Sequence, residues 1–320
     1  IRIGSTRRRN TNCRHNDPCK DYRPAGRPSL RVNFMGFWQG FTLDMFRRMF
    51  RFFGSRFDLQ VSDQPQVVFC SVFGGSASEA RRRWPGAQLV FFTGENVAPP
   101  LGDYDFCMSF SRDISDGRHL RWPLFIPHLS LLGLSLRSLL HREISRPAEE
   151  RTKFCAFVAS NGSVAFRNDF VASLSRYMKV DCPGEALHNM SAAIGPPGDV
   201  KRKVRFLSQY RFAVCFENVA TRASEGYVTE KVTDAMASGC VPLYWGDHRI
   251  GEDFNTDSMV ICPEEGKMNE TVDRIIHLDR NRHLLASMAR APRFVKNEIP
   301  LGLSDAYCDA FFTKVVAACS

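Results

Sequence analysis

The 320 residues suffice for two domains of ordinary size or one large one, and a hydrophobic share of 44% supplies large buried cores. No window approaches about 18 uninterrupted apolar residues, which excludes a membrane-spanning helix in the sequence as given. The formal charge of +9 is scattered, with arginine triplets only at residues 7–9 and 81–83 and no aromatic-plus-basic binding module. That distribution argues against nucleic acid and leaves a solvated basic surface or contact with an anionic membrane surface.

Residues 1–29 are basic, contain proline and lack periodicity, and read as a tail or linker. Residues 31–35 begin a first strand. Apolar positions 41, 45, 46, 49, 50 and 53 fall at helical spacing and predict one helix over 41–53. Strands follow at 57–61 and 67–73, then a helix at 76–83 ended by Trp84-Pro85. The strand at 88–92 breaks at Thr93-Gly94-Glu95-Asn96. Short strands at 104–108 and 120–126 and a helix at 129–141 complete an alternation that predicts a mostly parallel sheet.

The charged, proline-containing segment 145–153 separates this pattern from a second one. The expected division is a first domain over 30–148, a second over 149–298 and a C-terminal helix within 299–320. The second opens with a strand at 154–159, a helix at 167–177, a surface loop at 195–198 and a basic helix at 200–210. Residues 212–216 then form an apolar strand, 217–228 a polar loop, and 229–238 a helix capped by Thr229 and stopped by Gly239, before a strand from 241 to 245. A strand at 259–262, a long helix at 271–289 and a last helix at 303–319 follow. A strand–loop–helix–strand unit of this kind sets a loop and a helix N-terminus at the carboxyl edge of a parallel sheet, where α/β proteins bind ligands and where an anion is favoured.

Lys231 lies in the first turn of that helix, where its charge opposes the helix dipole; a phosphate in front of it would account for it, and so would an exposed helix lysine. Glu230 suits the hydroxyls of a ribose or sugar, or is a favourable first-turn charge. Asn218 and Tyr227 are polar loop residues near the same edge. Arg167 starts a helix after the small residues 159–163 and can grip a phosphate with two parallel hydrogen bonds; a surface arginine is the competing reading. Glu95 follows a strand directly, so its carboxylate would project from the first sheet's edge as a general base, or be a solvated turn acid. The eight histidines show no metal spacing and read as structural, and Asp103-Tyr104-Asp105 reads as a loop-to-strand junction.

The eleven cysteines leave at least one unpaired within the chain. Cys70, Cys107, Cys155, Cys215 and Cys240 sit in apolar runs as small hydrophobes, whereas Cys13 with Cys19 and Cys308 with Cys319 are candidate pairs. No CxxC pair or zinc spacing is present. Sequons stand at Asn161, Asn189 and Asn269.

Phe216-Glu217-Asn218, then Tyr227-Val228-Thr229-Glu230-Lys231, then Pro242-Leu243-Tyr244-Trp245-Gly246 resembles the donor signature of the α1,3/α1,4-fucosyltransferases, which use GDP-fucose. Phe157-Val158-Ala159-Ser160-Asn161 with Arg167-Asn168, Phe92-Thr93-Gly94-Glu95-Asn96 and the lead-in at 206–212 extend the likeness over residues 90–262, and more weakly from residue 30. The resemblance is nearest the bacterial-type branch. It implies a GT-B fold of two Rossmann-like domains facing a cleft, with the acceptor on the first and GDP-fucose on the second, and transfer with inversion at the anomeric carbon. It implies Glu95 as general base, Arg167 and Lys231 as pyrophosphate ligands, and Asn218, Tyr227 and Glu230 as donor contacts, Glu230 alternatively steadying positive charge on the sugar ring. Domain closure belongs to the expected cycle.

The expected acceptor is an N-acetyllactosamine-type glycan. No cofactor is strictly required by this reading, and stimulation by Mn²⁺ is left open. The compartment is open too: bacterial cytoplasm or membrane periphery, or the Golgi lumen if an anchor preceded Ile1. Residues 219–226 are longer and more charged than in the bacterial members. The bacterial heptad repeats are absent, and the animal C-terminal cysteine pairs have no clear counterpart. Two other readings compete. A retaining GT-B enzyme using another nucleotide sugar is suggested by the likeness of residues 225–239 to that group's donor helix, although Asp234 stands in place of its second glutamate, Gly226 lies eight before it, and Glu217 and Glu225, which have the spacing, precede the helix. The other is a non-catalytic nucleotide-sugar-binding protein.

Overall fold

The computed structural model describes residues 26–319, apart from 141, 142, 145, 192, 193, 195–198 and 264. The basic tail as far as residue 25, the Cys13–Cys19 pair and the loop at 195–198 lie outside the described residues.

Continuous apolar runs become strands buried on both faces, as parallel sheets require. In the first half these are β1 (Ser29–Met35), β2 (Asp58–Val61), β3 (Val67–Cys70), β4 (Gln88–Phe92), β5 (Phe106–Ser109) and β6 (His119–Arg121). Helices α1 (Leu43–Met49), α2 (Arg51–Arg56), α3 (Ala77–Arg83), α4 (Phe125–Leu131) and α5 (Leu136–Leu140) accompany them. The second half has β7 (Lys153–Phe157), β8 (Val180–Asp181), β9 (Tyr210–Phe216), β10 (Val241–Trp245) and β11 (Val260–Ile261). Its helices are α6 (Ala165–Ser175), α7 (Val200–Leu207), α8 (Glu230–Ser238), α9 (Met268–Arg280), α10 (Arg282–Arg290) and α11 (Asp305–Ala317).

All pairings are parallel, in the orders β2-β1-β3-β4-β5-β6 and β11-β10-β9-β7-β8. Strand order therefore reverses between β1 and β3 in one sheet and between β7 and β9 in the other. Beyond the carboxyl ends of such a reversal the flanking loops part and leave a crevice.

Several expected elements differ. The helix over 41–53 is two helices: at Phe50 the backbone leaves the helical region (φ −111°, ψ 73°). The Phe50 ring sinks into a cluster with Phe46, at 4.7 Å, and Phe92, at 5.1 Å. The strand expected over 120–126 stops at Arg121, and Phe125 starts α4 with Pro127 in its first turn, where no N–H is needed. Gly133, in the left-handed region at φ 76°, separates α4 from α5 and splits the expected 129–141 helix. The long helix over 271–289 breaks at Asn281, whose side chain accepts the Leu284 N–H at 3.2 Å and starts α10. Likewise α7 ends at Leu207, and Tyr210 already belongs to β9.

Helix α11 returns to the first sheet, where Phe312 sits among Phe53, Phe52 and Trp122 at ring distances of 5.0, 5.4 and 5.4 Å. Cys308 and Cys319 are free thiols and cannot pair: eleven residues of helical rise separate their backbones by ~16 Å, far beyond disulfide reach. The thiols of Cys70, Cys107, Cys155, Cys215 and Cys240 are buried, as expected.

The two halves meet along a face that is apolar at its centre and charged at one side. Phe125 of α4 meets Phe254 edge to face at 5.2 Å. Beside it, Arg121 forks onto both carboxylate oxygens of Asp253, at 2.8 and 2.7 Å. Arg112 reaches Asp253 at 2.7 Å and Asp247 at 2.6 Å. Asp253 is 1% exposed, so Asp253→Ala takes from Arg121, in a buried setting, the carboxylate it forks onto and leaves Arg112 with Asp247. The expected loss is about 3–5 kcal/mol in urea unfolding. A loss under about 1 kcal/mol would place the cluster with surface pairs.

Candidate active site

The site is built around a buried carboxylate. Glu217 follows β9 at the strand-order reversal and has 0% exposure. A carboxylate in such a place needs donors. Oε1 accepts the Thr229 backbone N–H at 2.7 Å, Oε2 accepts the Thr229 hydroxyl at 2.8 Å, and Oε2 also pairs with Lys231 Nζ at 2.8 Å. These bonds tie the end of β9 to the start of α8 and close the loop of residues 218–228. Thr229 occupies the N-cap position, but its hydroxyl is turned to Glu217 and accepts from Lys231 Nζ at 2.8 Å instead of capping the helix.

Glu217 changes the explanation of Lys231. A first-turn lysine suggests a ligand phosphate from sequence; here an internal carboxylate already neutralises it. Burial lowers the Lys231 pKa, but Glu217 and Glu230 outweigh it and the net direction is up, so the ammonium stays charged. Three N–H donors against two protein partners leave one for a ligand.

Arg167, in the first turn of α6, is 0% exposed. It donates from Nη1 to Asn218 Oδ1 at 3.0 Å and from Nη2 to the Asn161 carbonyl, and it lies over the Phe157 ring at 5.4 Å. Its Nε has no partner among the described residues, and it makes no ion pair with a carboxylate there. Burial lowers its pKa, with Glu217 and Tyr227 opposing. The direct phosphate grip expected from sequence is not open to this side chain as placed, because the backbone at Asn161 covers it. What reaches the surface is the exposed Asn218, whose amide oxygen is turned inward by Arg167 and whose NH₂ therefore points outward.

Tyr227 joins the two halves. Its ring meets Phe110, beyond β5, edge to face at 5.3 Å. The preceding Gly226 is left-handed at φ 86°, and a side chain there would strike the Phe110 carbonyl. Burial raises the Tyr227 phenol pKa; the charges of Glu217, Glu95 and Glu230 raise it further and Arg167 opposes them. All four groups are thus within electrostatic reach of one hydroxyl. Glu95 comes from the first sheet, exposed just past β4, with its N–H held by Thr93 Oγ1 at 2.9 Å.

Glu230 begins α8. Lys203 of α7 lies 3.2 Å from its Oε1 and 2.9 Å from Asp234 Oδ2, and His128 of α4 meets Asp234 Oδ1 at 3.2 Å. The structure therefore brings Asn218, Tyr227, Glu230 and Lys231 to one edge, sets Arg167 behind Asn218, and faces them with Glu95. Lys203 and His128 are the members that site reading of the sequence misses, while Glu217 and Asp234 enter it only through the donor signature and the retaining alternative. Two signals were available: a glutamate directly after a buried strand, and two acids one helical turn apart following a basic helix.

Residues 32–128 match the family model of the alpha-(1,3)-fucosyltransferase FucT N-terminal domain, and residues 148–289 that of the glycosyltransferase family 10 (fucosyltransferase) C-terminal region. The chain belongs to the fucosyltransferase family. It is 28% identical over 291 residues to the Helicobacter pylori alpha-(1,3)-fucosyltransferase FucT, covering 80% of this chain and 59% of that one. With the human GDP-fucose protein O-fucosyltransferase 3 it shares 27% identity, covering 58% of this chain and 39% of that one. The chain thus spans well under two thirds of the length of these curated relatives. The fold agrees with a crystal structure of an alpha1,3-fucosyltransferase (TM-score 0.77, 23% identity, 94% of this chain and 93% of that one). It also agrees with the GDP-fucose complex of such an enzyme (TM-score 0.72, 22% identity, 93% and 94% covered). This member of the family has the GT-B architecture expected from its sequence.

Thr229→Val keeps the shape of the site and the backbone bond to Glu217 but removes the hydroxyl shared by Glu217 and Lys231. The expected cost is about 1–3 kcal/mol in chemical denaturation. A neutral result would mean that the hydroxyl adds nothing to the carboxylate–ammonium pair.

Proposed function

We propose that this chain transfers L-fucose from GDP-fucose to a hydroxyl of an N-acetylglucosamine-type or glucose residue in a glycan, forming an α1,3 or α1,4 linkage with inversion at the anomeric carbon. The observation that carries this reading is the gathering of the Glu217–Lys231 pair, Asn218 and Glu230 at one edge, where Tyr227 packs on Phe110 of the other half and lies within electrostatic reach of Glu95. Both halves of the chain match the same family, which supports the assignment of those groups.

The chemistry follows from the placement. The acceptor hydroxyl gives its proton to Glu95 as its oxygen attacks the anomeric carbon. The bond from that carbon to the β-phosphate oxygen breaks, and GDP leaves with the electron pair. Negative charge then grows on the pyrophosphate, where Lys231, the Asn218 NH₂ and the α8 N-terminus stabilise it, with the buried Arg167 charge behind them. Positive charge grows on the sugar, where the ionised Glu230 answers it. A base and leaving-group stabilisers on opposite elements favour a single in-line displacement, hence inversion.

The acceptor side of the edge is aromatic: Phe73, past β3, is 53% exposed and lies edge to face with the half-buried Trp38 at 6.3 Å. Such rings suit the apolar face of a pyranose. The retaining alternative loses ground, because its two glutamates share no surface. Glu217 is buried on Thr229 and Lys231, while Glu225 pairs with Arg249 and His248, each at 3.3 Å.

Glu95→Gln is expected to lower kcat about 10²- to 10⁴-fold while GDP binding, followed by calorimetry, is unchanged. Assays with GDP-fucose over a glycan array, with and without Mn²⁺, read this, and a rate near that of the wild type would remove Glu95 from the base role. Lys231→Ala is expected to weaken GDP-fucose binding about 10- to 100-fold, with folding checked by circular dichroism. An unchanged donor affinity in a folded variant would exclude the phosphate contact.

A further inference from the structure

Helix α7 carries four cations, of which Lys201, Arg202 and Arg205 are exposed and Lys203 is turned inward with its side chain 16% exposed. The helix does not need it there: Asp199 caps α7, accepting the Arg202 N–H at 3.0 Å. Instead Lys203 bridges two acids one turn apart on α8, Glu230 at 3.2 Å and the fully buried Asp234 at 2.9 Å. Across the junction with the first half, His128 of α4 holds the other oxygen of Asp234 at 3.2 Å. A well-packed apolar side chain between two helices would be at least as stable as a buried ionic cluster. What an ammonium does here and an apolar group cannot is keep the neighbouring carboxylate charged.

We propose that Lys203 is a positioning residue for the transfer: its ammonium keeps Glu230 ionised and aimed at the donor edge, and Asp234, braced by His128 from the facing half, holds that ammonium in place. This rests on the fucosyl-transfer reading and deepens it, because Glu230 is the group placed against the positively charged sugar.

The groups that face Glu230 are Lys203 from α7, Lys231 from its own helix and His128 from α4. Burial pushes the Glu230 carboxyl up, but Lys203 first, then Lys231 and His128, carry it well below the ordinary carboxylate range. For Lys203, burial acts downward and is outweighed by Asp234 and Glu230, so the net direction is up. The sign for a variant follows. Without the Lys203 charge, Glu230 takes up its proton at higher pH, and the acid limb of the kcat profile moves to higher pH.

The test compares Lys203→Met and Lys203→Arg in the full chain. Lys203→Met is expected to lower kcat about 10- to 100-fold, at or below the range for losing one direct electrostatic contact, to leave GDP affinity little changed, and to shift the acid limb upward. Lys203→Arg restores most of the rate and the limb. Carboxyl-carbon NMR of Glu230, which needs no turnover, should show its titration moving to higher pH in Lys203→Met. If that variant does not fold, Lys203→Gln, which also removes the charge, carries the same test with the same sign. A normal wild-type rate with an unmoved Glu230 titration and acid limb in the variant overturns this proposal alone. Absence of any transfer by the wild-type chain overturns the parent reading and this one with it.

Discussion

The fork of Arg121 and Arg112 onto Asp253 sets the geometry on which the remaining contacts depend. Arg112 follows β5 and Arg121 ends β6, and Asp253 lies in the second half past β10. Arg112 also takes Asp247, while Arg249 answers from the other side onto Asp113 and Glu225. Buried ion pairs of this kind add little net stability over apolar packing, but planar forked contacts accept only a narrow range of positions. They therefore fix the angle at which the sheets meet. That angle puts Phe110 against Tyr227, and Glu95 within reach of the same hydroxyl. It also bears on the domain closure expected from sequence. The halves are already joined by this cluster and by Phe125 on Phe254, and any opening between them has to break both.

A second constraint operates inside the donor half, where charges too deeply placed for water are answered one by one. Glu217 is matched by Lys231, Glu230 by Lys203, and Asp234 by Lys203 and His128. Arg167 breaks the pattern: it has polar partners but no carboxylate, and its Nε has none. Its charge, buried behind an exposed amide, favours an anion at that edge. The α8 N-terminus adds to it, and Glu230 at its first position is favourable to the helix for the same reason.

The strands were legible where burial on both faces makes an unbroken apolar run. Residues 88–92 and 241–245 coincide with β4 and β10 for that reason. Helix breaks were not, because Phe50 and Asn281 interrupt periodicities that continue across them; one is set by aromatic packing and the other by a side-chain cap. Within the site, residues at loop and helix starts were readable from position and from the family signature. Lys203 and His128 were not, since pairing between helices, 27 residues apart for Lys203 and Glu230 and 106 for His128 and Asp234, leaves no periodic trace. Arg167 was picked out by its place at a helix start, but its burial was not legible: whether its guanidinium meets the Asn161 carbonyl depends on how one loop folds.

The two sheets share a strand order but differ in the chemistry of their reversal points, and that difference divides the labour. In the first, the loops after β1 and β3 are joined by the Phe73 N–H on the Gly36 carbonyl at 2.8 Å, and what they raise toward solvent is aromatic: Trp38 and Phe73. In the second, the loops after β7 and β9 are joined through Arg167, and what they raise is the Asn218 amide beside a buried ammonium–carboxylate pair. Aromatic rings gain most from an uncharged ring with an apolar face, and fixed cations and amide donors gain most from a multiply charged anion. On the proposed reading, a duplicated topology with exchanged surfaces sorts the reactants before chemistry starts, with the neutral sugar on one edge, the diphosphate on the other, and Glu95 and Glu230 at the seam between them.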